Sequence, residues 1–214
     1  MEYIHFLLEF LKDPLTILSQ LIAQYGVFVY AILFLIIFVE TGVVVMPLLP
    51  GDSLLFSVGL LAASTGEINI FYIIPMLIIA ALLGDNLNYF IGKKFGDFIQ
   101  SKEKLLFLKK EHIEETENYF EKYGGKTVII ARFIPIVRTI APFVAGAGEM
   151  KYRTYITYCI IGASLWVVSI TLLGYFLGEV EWVKLNFEKV VMGIVFVSIL
   201  PILIKAASSF MKKK

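Results

Sequence analysis

The chain has 214 residues, of which 58% are hydrophobic and 17% are charged, and its mean hydropathy is +0.81. Soluble domains contain about 45–50% apolar and about 25% charged residues, so this composition excludes an ordinary soluble globular protein. The net charge of +1 gives no electrostatic basis for binding nucleic acid. The single cysteine, Cys159, excludes an internal disulfide and a cysteine-based metal site, and we expect no metal or cofactor.

Four apolar segments set the predicted membrane topology. A helix needs about 20 residues to cross the hydrocarbon core of a bilayer. The segments that meet this length are residues 27–46, 70–92, 154–178 and 184–206. Ahead of them, residues 1–22 mix leucine and phenylalanine with charges and Pro14, which is typical of a short helix at the membrane interface. Residues 207–214 form a basic tail.

Residues 93–126 differ in composition, with many lysines and acids interleaved with apolar side chains. The pattern predicts an amphipathic helix on the membrane surface, ended by Gly124-Gly125 because glycine readily adopts the left-handed conformation. Lysine and arginine are enriched in the cytoplasmic loops of membrane proteins. This bias places residues 93–126 and the C-terminus in the cytoplasm, and it favours a cytoplasmic N-terminus.

Two further apolar segments, residues 47–65 and 127–148, are interrupted by helix-breaking residues. These residues are Pro47, Pro50, Gly51, Pro135 and Pro142. Residues 127–148 begin and end on the predicted cytoplasmic side, so they must enter the bilayer and return. Residues 47–65 enter from the outside by the same reasoning. The predicted fold is an all-α polytopic membrane protein with two oppositely oriented re-entrant hairpins, one in each membrane half (25–92 and 127–206), as in an inverted repeat.

Four charged residues lie in or beside these re-entrant segments, where each unpaired charge costs at least about 2.5–3.5 kcal/mol. They are Glu40, Asp52, Arg132 and Arg138. Their charges sum to zero, and Pro135 between the arginines lets both side chains turn toward one point. We expect the two acids and the two arginines to share one hydrated cavity. The alternative is that they form structural salt bridges that join the two hairpins.

The chemistry of these four side chains suits a phosphate and protons. Two guanidinium groups can hold a phosphate bidentately, and two partly desolvated carboxylates can exchange protons near neutral pH. We therefore predict that Arg132 and Arg138 bind a phosphate headgroup. Glu40 and Asp52 are predicted to exchange protons, or to pair with the arginines when no lipid is bound.

Other residues carry weaker signals. Asp85, Asn86 and Tyr89 form either a local polar network or a secondary part of the site. Trp166 lies in the middle of a span and is expected to pack in the interior. Glycines within spans are typical of close helix packing, and here these are Gly84, Gly92, Gly174 and Gly178.

Several motifs together resemble the bacterial DedA family, which belongs with the SNARE-associated Golgi, or VTT-domain, proteins. The motifs are Phe38-Val39-Glu40-Thr41-Gly42, Pro47-Leu48-Leu49-Pro50-Gly51-Asp52-Ser53, Gly84-Asp85-Asn86 with Tyr89 and Gly92, and Ala131-Arg132-Phe133-Ile134-Pro135-Ile136-Val137-Arg138. The resemblance covers roughly residues 25–205. It implies a bacterial inner-membrane transporter with two re-entrant hairpins, linked to flipping undecaprenyl phosphate or phospholipids and to the proton motive force. The family's important acids and arginines match Glu40, Asp52, Arg132 and Arg138.

The leading hypothesis is a flippase that moves undecaprenyl phosphate from the outer to the inner leaflet and is coupled to protons. The alternatives are a phospholipid scramblase, a proton-coupled transporter of small cations or drugs, and a non-transporting scaffold. We expect no enzyme, because the sequence shows neither a hydrolase motif nor a set of metal ligands. The expected partners are membrane lipids and protons. The sequence leaves open whether the protein forms a homo-oligomer.

Overall fold

The computed structural model describes residues 26–42, 51–66, 68–100, 104–105 and 108–186. Within these ranges the chain is mainly helical. The helices in chain order are α1 (Phe28–Gly42), α2 (Gly51–Thr65), α3 (Ile70–Gln100), α4 (Lys110–Tyr123), α5 (Thr127–Ala131), α6 (Pro135–Ala147), α7 (Tyr152–Glu179) and α8 (Glu181–Leu185). Two short strands, β1 (Lys104–Leu105) and β2 (Leu108–Lys109), pair antiparallel between α3 and α4, and a 3₁₀ turn (Gly124–Lys126) joins α4 to α5.

Two of the predicted spans, 70–92 and 154–178, are confirmed as long apolar helices. Residues Ile70–Phe95 of α3 form an apolar helical stretch of 26 residues, and α7 has 28 residues. At a rise of 1.5 Å per residue, both are longer than the roughly 30 Å of a bilayer's hydrocarbon core. The described part of the chain therefore has two helices of membrane-spanning length.

The helices α1 and α2 are shorter, with 15 residues each. They cover most of the predicted span 27–46 and of the predicted re-entrant segment 47–65. Fifteen residues extend over only about 22 Å, which is less than the bilayer core. Gly51 begins α2, whereas Pro47 and Pro50 lie outside the described residues. The re-entrant course of this segment stays a prediction.

Three other predicted elements fall outside the described ranges. They are the interfacial helix 1–22, the span 184–206 beyond Asn186, and the basic tail 207–214.

The charged segment 93–126 is divided into several elements rather than forming one helix. The helix α3 continues to Gln100, because no proline interrupts it there, and the β1–β2 hairpin then precedes α4. The predicted glycine stop is confirmed, since α4 ends at Tyr123 and Gly124 has a φ of +58°. Near the end of α4, Tyr119 and Phe120 pack against buried residues of α5 and α6. These apolar side chains are therefore covered by protein.

The two prolines of segment 127–148 have different effects. Pro135 separates α5 from α6, as predicted. The prediction that Pro142 also breaks the helix is wrong, because α6 continues through it to Ala147. A proline removes one backbone donor from a helix, and in membrane proteins neighbouring helices often make this tolerable.

The described residues divide into two compact units. One unit contains α2 and the described residues from Ile170 onward. In this unit Gly174 and Gly178 of α7 lie against α2, at Phe56 and Leu60. The predicted packing role of these two glycines is therefore confirmed.

The second unit contains most of α1 and the described residues from Phe71 to Ser169. In it Gly84 of α3 lies against α1, where a β-carbon would overlap the Thr41 hydroxyl. The helices α4 and α5 both contact α6. This unit holds the candidate functional site described below.

Two glycines bring α3 and α6 into close contact within the second unit. Gly92 of α3 lies against the main chain of Phe143, and Gly146 of α6 lies against the main chain of Tyr89. A β-carbon at either glycine would overlap a backbone carbonyl oxygen. Only glycine permits such an approach, which fixes α6 beside α3.

Replacing Gly146 by alanine should destabilise the protein, because the added methyl group meets the Tyr89 carbonyl and forces α6 away from α3. We expect the free energy of unfolding to fall by about 1–3 kcal/mol. The measurement is thermal unfolding of the purified protein in dodecyl maltoside. Gly148→Ala is the matched control, since a β-carbon there would lie 3.2 Å from its nearest atom, the Val144 carbonyl oxygen. Equal losses in the two variants would contradict the close contact.

Candidate functional site

The site begins at the break between α5 and α6. Residues Arg132, Phe133 and Ile134 form a turn, and Pro135 occupies the first turn of α6. Ile134 is extended, with φ −118° and ψ 106°, as expected of a residue that precedes proline. Proline is also common at the first helical position, where its missing N–H is not needed. The break therefore places Arg132 outside a helix and Arg138 near the start of α6.

Arg138 forms an ion pair with Glu40 of α1. Its Nη2 lies 3.0 Å from Glu40 Oε1 and donates a hydrogen bond to it. Only 6% and 2% of the two side chains are exposed. The pair thus joins α1 to α6 across 98 positions of sequence.

Arg132 forms a second ion pair, with Asp85 of α3. The Cys159 thiol of α7 lies beside both groups: its sulfur donates to Asp85 Oδ2 at 3.2 Å and accepts from Arg132 Nη2 at 3.6 Å. The Tyr155 hydroxyl, also on α7, donates to the main-chain carbonyl of Asp85 at 2.9 Å. This pair therefore connects α3, the α5–α6 break and α7.

Both guanidinium groups also contact the indole ring of Trp166. The ring centre lies 4.8 Å from the Arg138 guanidinium carbon and 6.0 Å from that of Arg132. These distances are within the range of cation–π attraction. The sequence analysis predicted only interior packing for Trp166, which is fully buried. The sequence spacing could have indicated that Trp166 faces the ion pairs, since Tyr155, Cys159 and Trp166 fall on one face of α7.

The side chains of the two ion pairs are almost completely buried and together carry no net charge; they are Glu40, Asp85, Arg132 and Arg138. Arg132 and Asp85 also have buried atoms, Nη1 and Oδ1 respectively, without a hydrogen-bond partner among the described residues. Buried polar atoms normally have a partner, so these two require an explanation. An unsatisfied donor and an unsatisfied acceptor at one ion pair are suited to exchange with a polar ligand.

Of the secondary polar residues, Asp85 takes part in the site and its neighbours brace the surrounding helices. The Asn86 side chain donates to the Leu82 carbonyl and accepts a hydrogen bond from the Tyr152 hydroxyl. Tyr89 donates to the Met150 carbonyl, and its ring stacks on Tyr155 with the centroids 4.3 Å apart. The sequence had left open whether these residues form a local polar network or a secondary part of the site; the contacts show a network, and a part in binding stays a prediction.

Asp52, the predicted companion of Glu40, belongs to the other unit. It lies in the first turn of α2, and its side chain is half-buried. Its participation stays a prediction, whereas Asp85 is the carboxylate that pairs with Arg132. In the described part of the chain, no three His, Cys, Asp or Glu side chains are grouped so that they could hold a metal ion.

Comparison with known proteins identifies the class to which this fold and site belong. The model of the VTT domain matches residues 49–176, a stretch that includes Asp85, both buried arginines and Trp166. The chain belongs to the VTT-domain family of membrane proteins, which includes DedA.

The chain is similar to individual members of this family over most of its length. It is 48% identical over 202 residues to Protein DedA of Escherichia coli strain K12, covering 94% of this chain and 92% of that protein. It is 44% identical over 193 residues to an uncharacterized membrane protein of Mycobacterium tuberculosis strain H37Rv, covering 88% and 85%. The inner membrane protein YqjA of E. coli strain K12 is 34% identical over 164 residues, covering 77% and 74%. No solved structure matches the chain.

Removing one member of the Glu40–Arg138 pair should destabilise the protein more than removing both. Glu40→Leu leaves the Arg138 guanidinium buried without its carboxylate, which typically costs about 3–5 kcal/mol. Adding Arg138→Met should restore much of that loss, because apolar side chains of similar volume tolerate burial. Unfolding of Glu40→Leu, of Arg138→Met alone and of the double variant in detergent measures the coupling. Losses that simply add would show that the two side chains do not depend on each other.

Proposed function

We propose that this protein is a membrane transporter that moves a lipid phosphate between leaflets, with undecaprenyl phosphate as the favoured substrate, and that protons drive the movement. One observation carries the proposal: two arginine–carboxylate pairs lie buried in one unit and both contact Trp166. The surrounding elements form part of an apolar membrane protein.

The burial of these charges favours a role in transport over a structural role. A charge within the bilayer costs at least about 2.5–3.5 kcal/mol, and buried ion pairs stabilise proteins no better than well-packed apolar side chains. Two such pairs are therefore an expensive means of joining helices. Charged groups inside membrane segments most often mark a path for substrate, ions or protons.

The arginines give the site its preference for phosphate. A guanidinium fork matches phosphate and carboxylate oxygens equally well in geometry, so a headgroup can replace Glu40 or Asp85 as the partner of an arginine. Arg132 Nη1 has an N–H without a partner among the described residues. Arg138 lies near the N-terminus of α6, where the helix dipole favours an anion.

Access to the site requires movement, because all four side chains are buried. In this proposal α5 and α6 move relative to each other at residues 132–134, where short turn hydrogen bonds such as Ile134 N–H to the Ala131 carbonyl replace the helical pattern and Pro135 supplies no backbone donor. In this proposal residues 127–148 and 47–65 are the two re-entrant segments, which admit the headgroup from opposite sides of the membrane in turn. The polyprenyl tail stays in the bilayer, so no wide pore is needed.

Charge balance supports coupling to protons. With Glu40 and Asp85 ionised the site is neutral, and a phosphate dianion would add two buried negative charges. Protonation of both carboxylates offsets these charges and releases both arginines for the headgroup. The groups that face Asp85 are the Arg132 guanidinium and the Cys159 thiol. We infer that two protons accompany each dianionic headgroup.

The same observations weigh against the alternatives. A carrier of small cations needs net negative charge at its site, but here each carboxylate is neutralised by an arginine. A scaffold has no need of paired charges in its interior. A phospholipid scramblase uses the same site chemistry, and transport assays with both lipids distinguish it from a carrier of lipid phosphates.

Replacing either buried arginine should slow leaflet exchange of a polyprenyl phosphate in proteoliposomes. The alanine variants of Arg132 and Arg138 lose a charge-assisted contact worth about 1.5–3 kcal/mol, so the rate should fall about tenfold or more. The lysine variants keep the charge but lose the fork, and intermediate rates are expected. Leaflet-resolved exchange by purified protein is the measurement.

The third arginine of the chain, Arg153, provides a matched control. It is exposed, and Arg153→Ala should exchange lipid at the rate of the unaltered protein. Unchanged exchange by the alanine variants of both buried arginines would remove them from the mechanism. Faster exchange of phosphatidylglycerol than of polyprenyl phosphate would instead assign a phospholipid as the substrate.

Neutralising the carboxylates should uncouple exchange from protons. Asp85→Asn and Glu40→Gln mimic the protonated state, so exchange should respond at least about tenfold less to an imposed pH gradient than in the unaltered protein. Glu179→Gln, at an exposed position, is the control. The same assay on Asp52→Asn tests the predicted role of Asp52. A full pH response in both Asp85→Asn and Glu40→Gln would refute this coupling.

A further inference from the structure

One face of α7 forms a wall that contacts both ion pairs. Cys159 touches Asp85 and Arg132, and Trp166 lies within cation–π range of both arginines. Cys159 and Trp166 are seven residues apart, which is about 10 Å along a helix. The Arg132 side chain thus reaches from its carboxylate partner toward the indole ring that already carries Arg138.

Two cations that share one aromatic ring repel each other unless an anion lies between them. In the present arrangement Glu40 and Asp85 each neutralise one guanidinium from a separate helix. Arg138 lies in close cation–π contact, whereas Arg132, at 6.0 Å, is at the outer limit of such an interaction. A single anion with enough oxygens could replace both carboxylates as the partner of the two guanidinium groups.

We propose that the headgroup binds between Arg132 and Arg138 while both guanidinium groups stay near the Trp166 ring, and that this position selects phosphate monoesters over phosphate diesters. The inference rests on the proposed function, because it takes the two arginines as headgroup ligands. A monoester has three terminal oxygens and up to two negative charges, so it can occupy two guanidinium forks at once. A diester offers two terminal oxygens and one charge, and it leaves one buried arginine poorly neutralised.

In this arrangement Trp166 is a positioning residue. Its ring attracts the two guanidinium groups and keeps them near each other while their carboxylates are displaced, so that the phosphate binds between them. Arg132 Nη1, buried and without a hydrogen-bond partner among the described residues, is the donor that the headgroup engages first.

The tryptophan content of the chain permits a direct test. The chain has two tryptophans, and the other, Trp182 on α8, is 63% exposed. In a Trp182→Phe variant the emission of Trp166 reports on the site alone. The full-length protein in dodecyl maltoside is titrated with dodecyl phosphate, a monoester, and with dodecyl methyl phosphate, the diester that differs from it by one methyl group.

We expect a saturable change in Trp166 emission with both probes and about tenfold tighter binding of the monoester. Arg132→Gln and Arg138→Gln should each weaken monoester binding by about tenfold or more and reduce the preference. Arg153→Gln should leave both affinities unchanged. Trp166→Phe, studied by isothermal titration, should narrow the preference between monoester and diester, which a loss of stability alone does not do.

Equal affinities for the two probes would overturn the inference, as would saturable binding that survives in both arginine variants. Variants that do not elute as folded protein on size exclusion are replaced by the lysine forms, for which a smaller loss in the same direction is expected. Selective binding without leaflet exchange would support this site and reject the transport function. Exchange of lipid phosphate without a monoester preference would reject the site and leave the transport function in place.

Discussion

The structure of the second unit depends on the burial of two ion pairs. Arg132 and Arg138 are supplied by one interrupted segment, while their carboxylates come from two other helices, α3 and α1. A buried charge is tolerable only when its partner is close, so these helices must meet at the α5–α6 break. The turn before Pro135 and the tryptophan beneath both guanidinium groups follow from the same requirement.

Close backbone packing makes this arrangement possible. An aspartate side chain is short, so Asp85 reaches Arg132 only if α3 lies near the break. Gly92 and Gly146 bring α3 against α6 at backbone distance, and Gly84 does the same for α3 against α1. In a membrane, where lipid tails compete equally for apolar surfaces, such small residues are the usual basis of helix association. The glycines therefore position the charges.

Much of this could be predicted from the sequence, because the energetic signals are strong. Long apolar runs gave two confirmed spans, and the rarity of charges in such runs pointed to Glu40, Arg132 and Arg138. Pairing was harder to predict, since the choice of Asp85 for Arg132 depends on how α3 and α7 rotate about their axes. Trp166 was assigned only a packing role, because hydropathy does not distinguish a ring that packs from one that binds cations. The prediction that Pro142 breaks a helix was wrong, because packing against neighbouring helices makes an internal proline tolerable.

The Tyr155 hydroxyl binds the main-chain carbonyl of Asp85 and not its carboxylate. The main chain of this residue therefore helps to join α7 to α3, while its side chain pairs with Arg132. A peptide carbonyl neither gains nor loses a proton at physiological pH, so this link between α7 and α3 does not depend on the state of the carboxylate, whereas the Cys159–Asp85 hydrogen bond does. In the proposed transport cycle Asp85 changes its charge and its partner, while this main-chain hydrogen bond to α7 is kept. The residue thus accepts a hydrogen bond from α7 on its main chain and forms an ion pair through its side chain.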